Sequence, residues 1–167
     1  MGKIEISDDC LAPARYVYMD YTGKNPYGVA KKISESLEKF FHISGAGVAE
    51  TYFMWDNSGD PQTFHIKWWV KKTLSGYSTL WLYIIVKGDR AKETNEGMFN
   101  MRINAIIKTQ FKGFSLFLKP IWYIYSLFFY NNRRREYINL CKNFALSFRN
   151  EMREHYNLEI GMEHGER

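Results

Sequence analysis

Residues 98–111 read MFNMRINAIIKTQF, and the alternation in that stretch decides the fold. Phe99, Met101, Ile103, Ala105 and Ile107 fall on one side of an extended chain, and Asn100, Arg102, Asn104, Lys108 and Gln110 on the other. A helix would scatter both sets around its axis, so the run is a long strand with one buried face. Upstream, Thr63–Leu74 sets Phe64, Ile66, Trp68 and Val70 against His65, Lys67, Trp69 and Lys71. Tyr77–Lys87 sets Leu80, Leu82, Ile84 and Val86 against Thr79, Trp81, Tyr83 and Ile85. Both of its faces are apolar, which predicts a central strand covered on both sides. Val48–Trp55 is a further strand, and Asp56–Pro61 and Ser75-Gly76 supply the turns between neighbours.

Working outward, Lys3–Ser7 and Arg15–Tyr21 read as short strands. Asn25-Pro26 opens a helix: the Asn25 side chain can accept from unpaired amides, and Pro26 suits a first-turn position that needs no N–H. Ala30, Ile33, Leu37, Phe40 and Phe41 follow at helical spacing. After a densely apolar run over Ser115–Tyr130, Arg133–Asn157 forms a long amphipathic helix with Tyr137, Leu140, Cys141, Phe144, Phe148 and Met152 on one face. The order predicts one α+β domain over 1–157, an antiparallel sheet packed on a long C-terminal helix, with a polar, frayed tail over 158–167.

Composition bounds the function classes. Hydrophobic residues make up 46% of the 167, which excludes a disordered chain. The 12 Tyr, 12 Phe and 5 Trp can fill a core, line a pocket or stack on bases. A net charge of +5 permits an anionic partner without requiring one. With two cysteines, Cys10 and Cys141, the chain lacks a disulfide framework. Cys141 reads as a small buried hydrophobe, and the compartment argument weighs against a Cys10–Cys141 bridge. Met1–Glu5 carries no apolar leader, so the expectation is a cytoplasmic protein.

Chemical motifs are sparse. His42, His65, His155 and His164 have no metal-ligand spacing, and no metal or cofactor is expected. Asp56–Asp60 begins like a calcium loop, but Pro61 and Lys67 stand where it needs Gly and Glu, so it reads as a turn. No nucleophile elbow or phosphate loop occurs, and catalysis has no defensible residue. The run 115–130 is interrupted by Lys119-Pro120 and is too short to span a membrane. It packs on the sheet or, on the alternative reading, touches a membrane surface beside Arg133–Arg135. On the last helix Arg135, Lys142, Arg149 and Arg153 fall within about 40° of one another. With Arg133 and Arg134 they form a candidate anion-binding ridge; the plainer reading is a solvated face.

The element order is similar to that of the helix-grip fold of START-type lipid-transfer domains and plant pathogenesis-related allergens, in which a curved antiparallel sheet wraps a long C-terminal helix. The resemblance covers most of the chain and lies in element order, not motifs; this chain has fewer strands and one helix after the N-terminal strands where many relatives have two. It implies a cavity between sheet and helix for an apolar or aromatic ligand, walled by Trp68, Trp81, Met101, Ile103, Ala105, Phe144 and Phe148. The expected function is therefore a non-enzymatic binding domain for a hydrophobic small molecule or lipid. The alternative is a nucleic-acid or anionic-surface adaptor using the basic ridge.

Overall fold

A computed structural model describes residues 2–114, 124 and 130–158. Apart from residue 124, the apolar run over 115–129 lies outside the described residues, as does the tail from 159. The elements are β1 (Gly2–Asp9), β2 (Val17–Lys24), α1 (Gly28–Phe41), a 3-10 turn (Gly45–Gly47), β3 (Val48–Asp56), β4 (Gln62–Thr73), β5 (Ser78–Arg90), β6 (Glu96–Phe114) and α2 (Asn131–His155). They form an α+β fold with a six-stranded antiparallel sheet in the order β1-β6-β5-β4-β3, and β2 pairs with β6 on the same edge as β1. The stretch 98–111 lies wholly within β6.

Alternation and register together separate two faces. On the inner face the pairing stacks Ile66, Val86, Met101 and Met19 in one row and Trp68, Ile84, Ile103 and Val17 in the next. All are buried. Burying each such aliphatic side chain contributes about 1.5–3 kcal/mol, so these rows hold the sheet to what covers it. α1 lays Val29, Ile33, Leu37 and Phe41 on this face, and α2 lays Cys141, Ala145, Phe148 and Met152 there at alternating four- and three-residue spacing. The helices meet through rings: Phe148 lies 5.2 Å from Phe40 and 5.5 Å from Phe41, centroid to centroid.

Two glycines of the sheet leave no room for a side chain: Gly97 of β6, whose Cβ would lie 2.2 Å from the Asp89 carbonyl, and Gly88 of β5. Gly88 stands on the inner face between Phe64 and Phe99, where a Cβ would lie 2.4 Å from the Met98 carbonyl and 2.5 Å from Phe64 Cζ. The missing side chain lets the two rings close over the strand.

Several expectations change. Cys10 and Cys141 are not separate thiols but form a disulfide, with Cα atoms 5.9 Å apart across a separation of 131 residues. A cysteine count says nothing about approach in space. Here the chain leaves β1 opposite Ala105, the Cys10 N–H donating to its carbonyl at 3.0 Å, on the face that α2 covers. The small side chain of Ala105 thus neighbours a disulfide. Asn25 does not cap α1 with its side chain. It adopts a positive φ of 53°, and its main-chain carbonyl accepts from Gly28 at 3.0 Å. Leu158, expected in the frayed tail, packs against the core. β5 is not covered on both sides by the described elements, because α1 and α2 bury their residues on one face only. Among the described residues no helix is long and apolar enough to cross a membrane.

Candidate binding face on the outer side of the sheet

The face turned away from both helices combines rings and cations. Register orders it in rows across neighbouring strands about 4.8 Å apart. One row runs Lys71, Trp81, Ile106; the next Trp69, Tyr83, Asn104; the next Tyr52, Lys67, Ile85, Arg102, Tyr18. Trp81 is the centre of the first two. Its ring lies 5.4 Å from Trp69 and 6.3 Å from Tyr83, the latter nearly parallel at 11°. The Lys71 and Lys108 ammoniums approach it at 5.5 and 5.2 Å. The third row repeats the motif at its ends, with Lys67 5.1 Å from the Tyr52 ring and Arg102 5.8 Å from Tyr18. These are cation–π distances, and among the described residues none of these four cations forms an ion pair with a carboxylate. Tyr18 is 48% exposed and Tyr52 41%, while Trp69, Trp81 and Tyr83 are half-buried by their neighbours.

The cations occupy the middle of the face, and acids stand at one end. There Met54, His65, Lys87, Asn100 and Asp20 form a row, and Thr63, Asp89 and Met98 the row beyond. A recess of about 440 Å³ opens among them. Its His65 imidazole is held below the usual histidine range, first by burial and then by Lys87 and Lys67, so it is neutral at pH 7. A second recess, about 360 Å³, opens at the other end beside Lys71, Tyr77 and Trp81.

The residues singled out in the sequence are distributed differently from expectation. Trp68, Met101, Ile103, Ala105 and Phe148 come together in the core, and Phe144 is half-buried against Phe41 at 5.6 Å. Trp81 does not join them. It pairs with Lys71, three residues along from the Trp68–Ile84 pair on each strand, and this odd offset puts it on the outer face. The expected ridge is also broken. Arg149 is 6% exposed, with Nε and Nη2 donating to Asn150 Oδ1. Arg134 is engaged by Asp8, its Nε donating at 2.6 Å, and Arg133 by Glu136 at 3.3 Å. Arg135 and Lys142 are exposed, and Arg153 is half-buried. The 100° spacing was sound, but α2 is rolled so that Arg149 falls at the boundary of its buried stripe, beside Phe148 and Met152.

Three N-terminal aspartates each have a separate partner. Asp8 meets Arg134, Asp9 accepts from the Leu11 N–H at 2.9 Å, and Asp20 accepts from Asn100 Nδ2 at 2.6 Å. No two of them form an acid–base pair.

No family model matches the chain. No curated protein is similar to it. Among solved structures, the crystal structure of the Mll3558 protein from Rhizobium loti aligns over 87% of this chain and 98% of its own, at 8% identity and a TM-score of 0.17, too slight a likeness to carry an argument.

Proposed function

We propose that the chain is a non-enzymatic binding domain whose outer sheet face takes single-stranded nucleic acid. The observation that carries the reading is the Trp81 cluster, a ring flanked by Trp69 and Tyr83 and approached by two lysines. Single-stranded nucleic acid is bound elsewhere by this combination, rings on which bases stack and cations that follow the phosphates. This moves the anion-binding role from the α2 ridge, where Arg149 is buried and Arg134 is ion-paired, to the sheet.

The test is fluorescence anisotropy of a labelled oligo-dT against salt, with tryptophan quenching alongside. If Lys67, Lys71, Arg102 and Lys108 each meet a phosphate, log K against log salt should slope at about −3, from about 0.7 per contact on single strands. Trp81→Ala should weaken binding by about one stacked base, roughly 5- to 150-fold. Arg135→Gln/Lys142→Gln should change it little. Absence of binding at 50 mM salt would end the proposal.

A second reading keeps the helix-grip arrangement with a hydrophobic ligand between sheet and α2. The element order and a long helix lying on one face of the sheet support it. Native mass spectrometry of protein purified without detergent distinguishes the two, because a co-purifying lipid favours the internal site. The disulfide bears on compartment. A buried bridge is ordinary in oxidising surroundings and inside hyperthermophiles, and rare in a mesophile's reducing cytoplasm. The bridge therefore weighs against the cytoplasmic expectation for a protein of a mesophile.

A further inference from the structure

Resting on the nucleic-acid reading, we infer that the recess at the acidic end of the same face is a base-edge pocket selective for guanine. It lies along the strands from the rings: Trp81, Tyr83, Ile85, Lys87 and Asp89 follow one another on the outer side of β5, about 6.8 Å per step. A strand whose bases stack on Trp81 and Tyr83 would therefore carry a later base over Lys87 and Asp89.

The polar groups there present a defined pattern. Asp89 uses Oδ1 to accept from the Met98 N–H at 3.2 Å, and Asp20 uses Oδ1 to accept from Asn100 Nδ2 at 2.6 Å. Both carboxylates keep a second oxygen, Oδ2, for a ligand. Lys87 is exposed and stands on the same side of β5 as Asp89. Asn100 is already committed, its Oδ1 taken by Arg102 Nε at 2.8 Å. The recess thus offers carboxylate acceptors beside the Lys87 ammonium, with the His65 imidazole and the Thr22 and Thr63 hydroxyls elsewhere in its wall. Its remaining wall includes the thioethers of Met54 and Met98, adaptable apolar surfaces for a base plane.

Among the bases, guanine alone presents two adjacent donors, N1–H and the 2-amino group, next to an acceptor, O6. A carboxylate can accept from both donors while Lys87 reaches O6. Cytosine and adenine place a ring-nitrogen acceptor where the second donor is needed, against the carboxylate. Thymine and uracil flank their single N–H with carbonyls. The discrimination follows from leaving a charged acceptor facing another acceptor.

The experiment compares labelled dT oligomers carrying a single central dG, dI, dA or dC, by anisotropy at fixed salt. The dG oligomer should bind about tenfold more tightly than plain dT, within the range of a good bidentate base contact. Inosine, which lacks the 2-amino group, should lose most of that gain. Asp89→Asn and, separately, Asp20→Asn should leave plain dT binding intact, and at least one should erase the dG preference. Lys87→Gln should reduce the preference without abolishing it. Equal affinity for all oligomers, or a dG preference that survives both aspartate variants, overturns the pocket while leaving the platform standing. Failure to bind any oligomer refutes the platform itself.

Discussion

Removing the Cys10–Cys141 disulfide should destabilise the fold by an amount that can be worked from chain length. The bridge closes a separation of 131 residues. On the chain-entropy account such a link removes about 17 cal/mol/K from the unfolded ensemble, or about 5 kcal/mol at 25 °C. A domain of this size is stable by about 8–15 kcal/mol in all, so the link is a large share. The variant to make is Cys10→Ala/Cys141→Ala, which leaves no unpaired buried thiol and a void of only two sulfur atoms. Urea unfolding, followed by circular dichroism with and without reductant, gives the difference. The parent should lose about 3–5 kcal/mol on reduction after unfolding, and the double variant should start at that lower value and ignore reductant. Both cysteines are buried, Cys141 completely, so thiol reagents should detect no free thiol in the folded parent. Two titratable thiols in freshly unfolded, unreduced parent, or equal midpoints for parent and double variant, would refute the reasoning.

The packing around two small residues gives further expectations. Gly88→Ala should cost about 1–3 kcal/mol in the urea midpoint, since its Cβ meets the Met98 carbonyl and the Phe64 ring with no room to shift. Ala105→Leu should cost a similar amount, because Ala105 is fully buried beside the disulfide; a gain in stability would point to an internal cavity instead. Tyr156, packed 4.4 Å from Tyr21, has its phenol pushed up to about 12, first by burial and then by Tyr21. Between about pH 10 and pH 12 the folded state holds a proton that the unfolded chain has released. Stability should therefore be level below pH 10 and fall as pH rises to 12, and Tyr156→Phe should flatten that fall.

Most of the sheet was legible because period-two alternation is a local property of the chain. The inner rows of β4, β5 and β6 are the residues that the sequence sets apart, and the buried stripe of α1 follows from its spacing. What escaped depended on what lies across from a residue. The rings of β5 looked like a second buried face, yet lysines of neighbouring strands stand over Trp81 where a helix was expected. The same alternation already put Trp81 out of phase with Ile84 and Trp68, so its place on the outer face could have been read with more care over parity. The roll of α2, which buries Arg149, and the approach of Cys10 to Cys141 belong to tertiary packing and leave no trace in spacing.

β6 is the shared partner of both N-terminal strands, and this has a bearing on how the chain is made. Lys3 lies opposite Lys112, and Val17 opposite Ile103. During synthesis β1 and β2 therefore leave the ribosome seconds before any strand exists for them to join. The β4–β5 hairpin closes early from local contacts, but the edge formed by β1 and β2 waits for β6, and loop closure over such distances is slow. For that interval the apolar side chains of Val17 and Met19 have no native cover. A nascent chain halted before residue 96 should thus engage holding chaperones, and release should follow when β6 is complete.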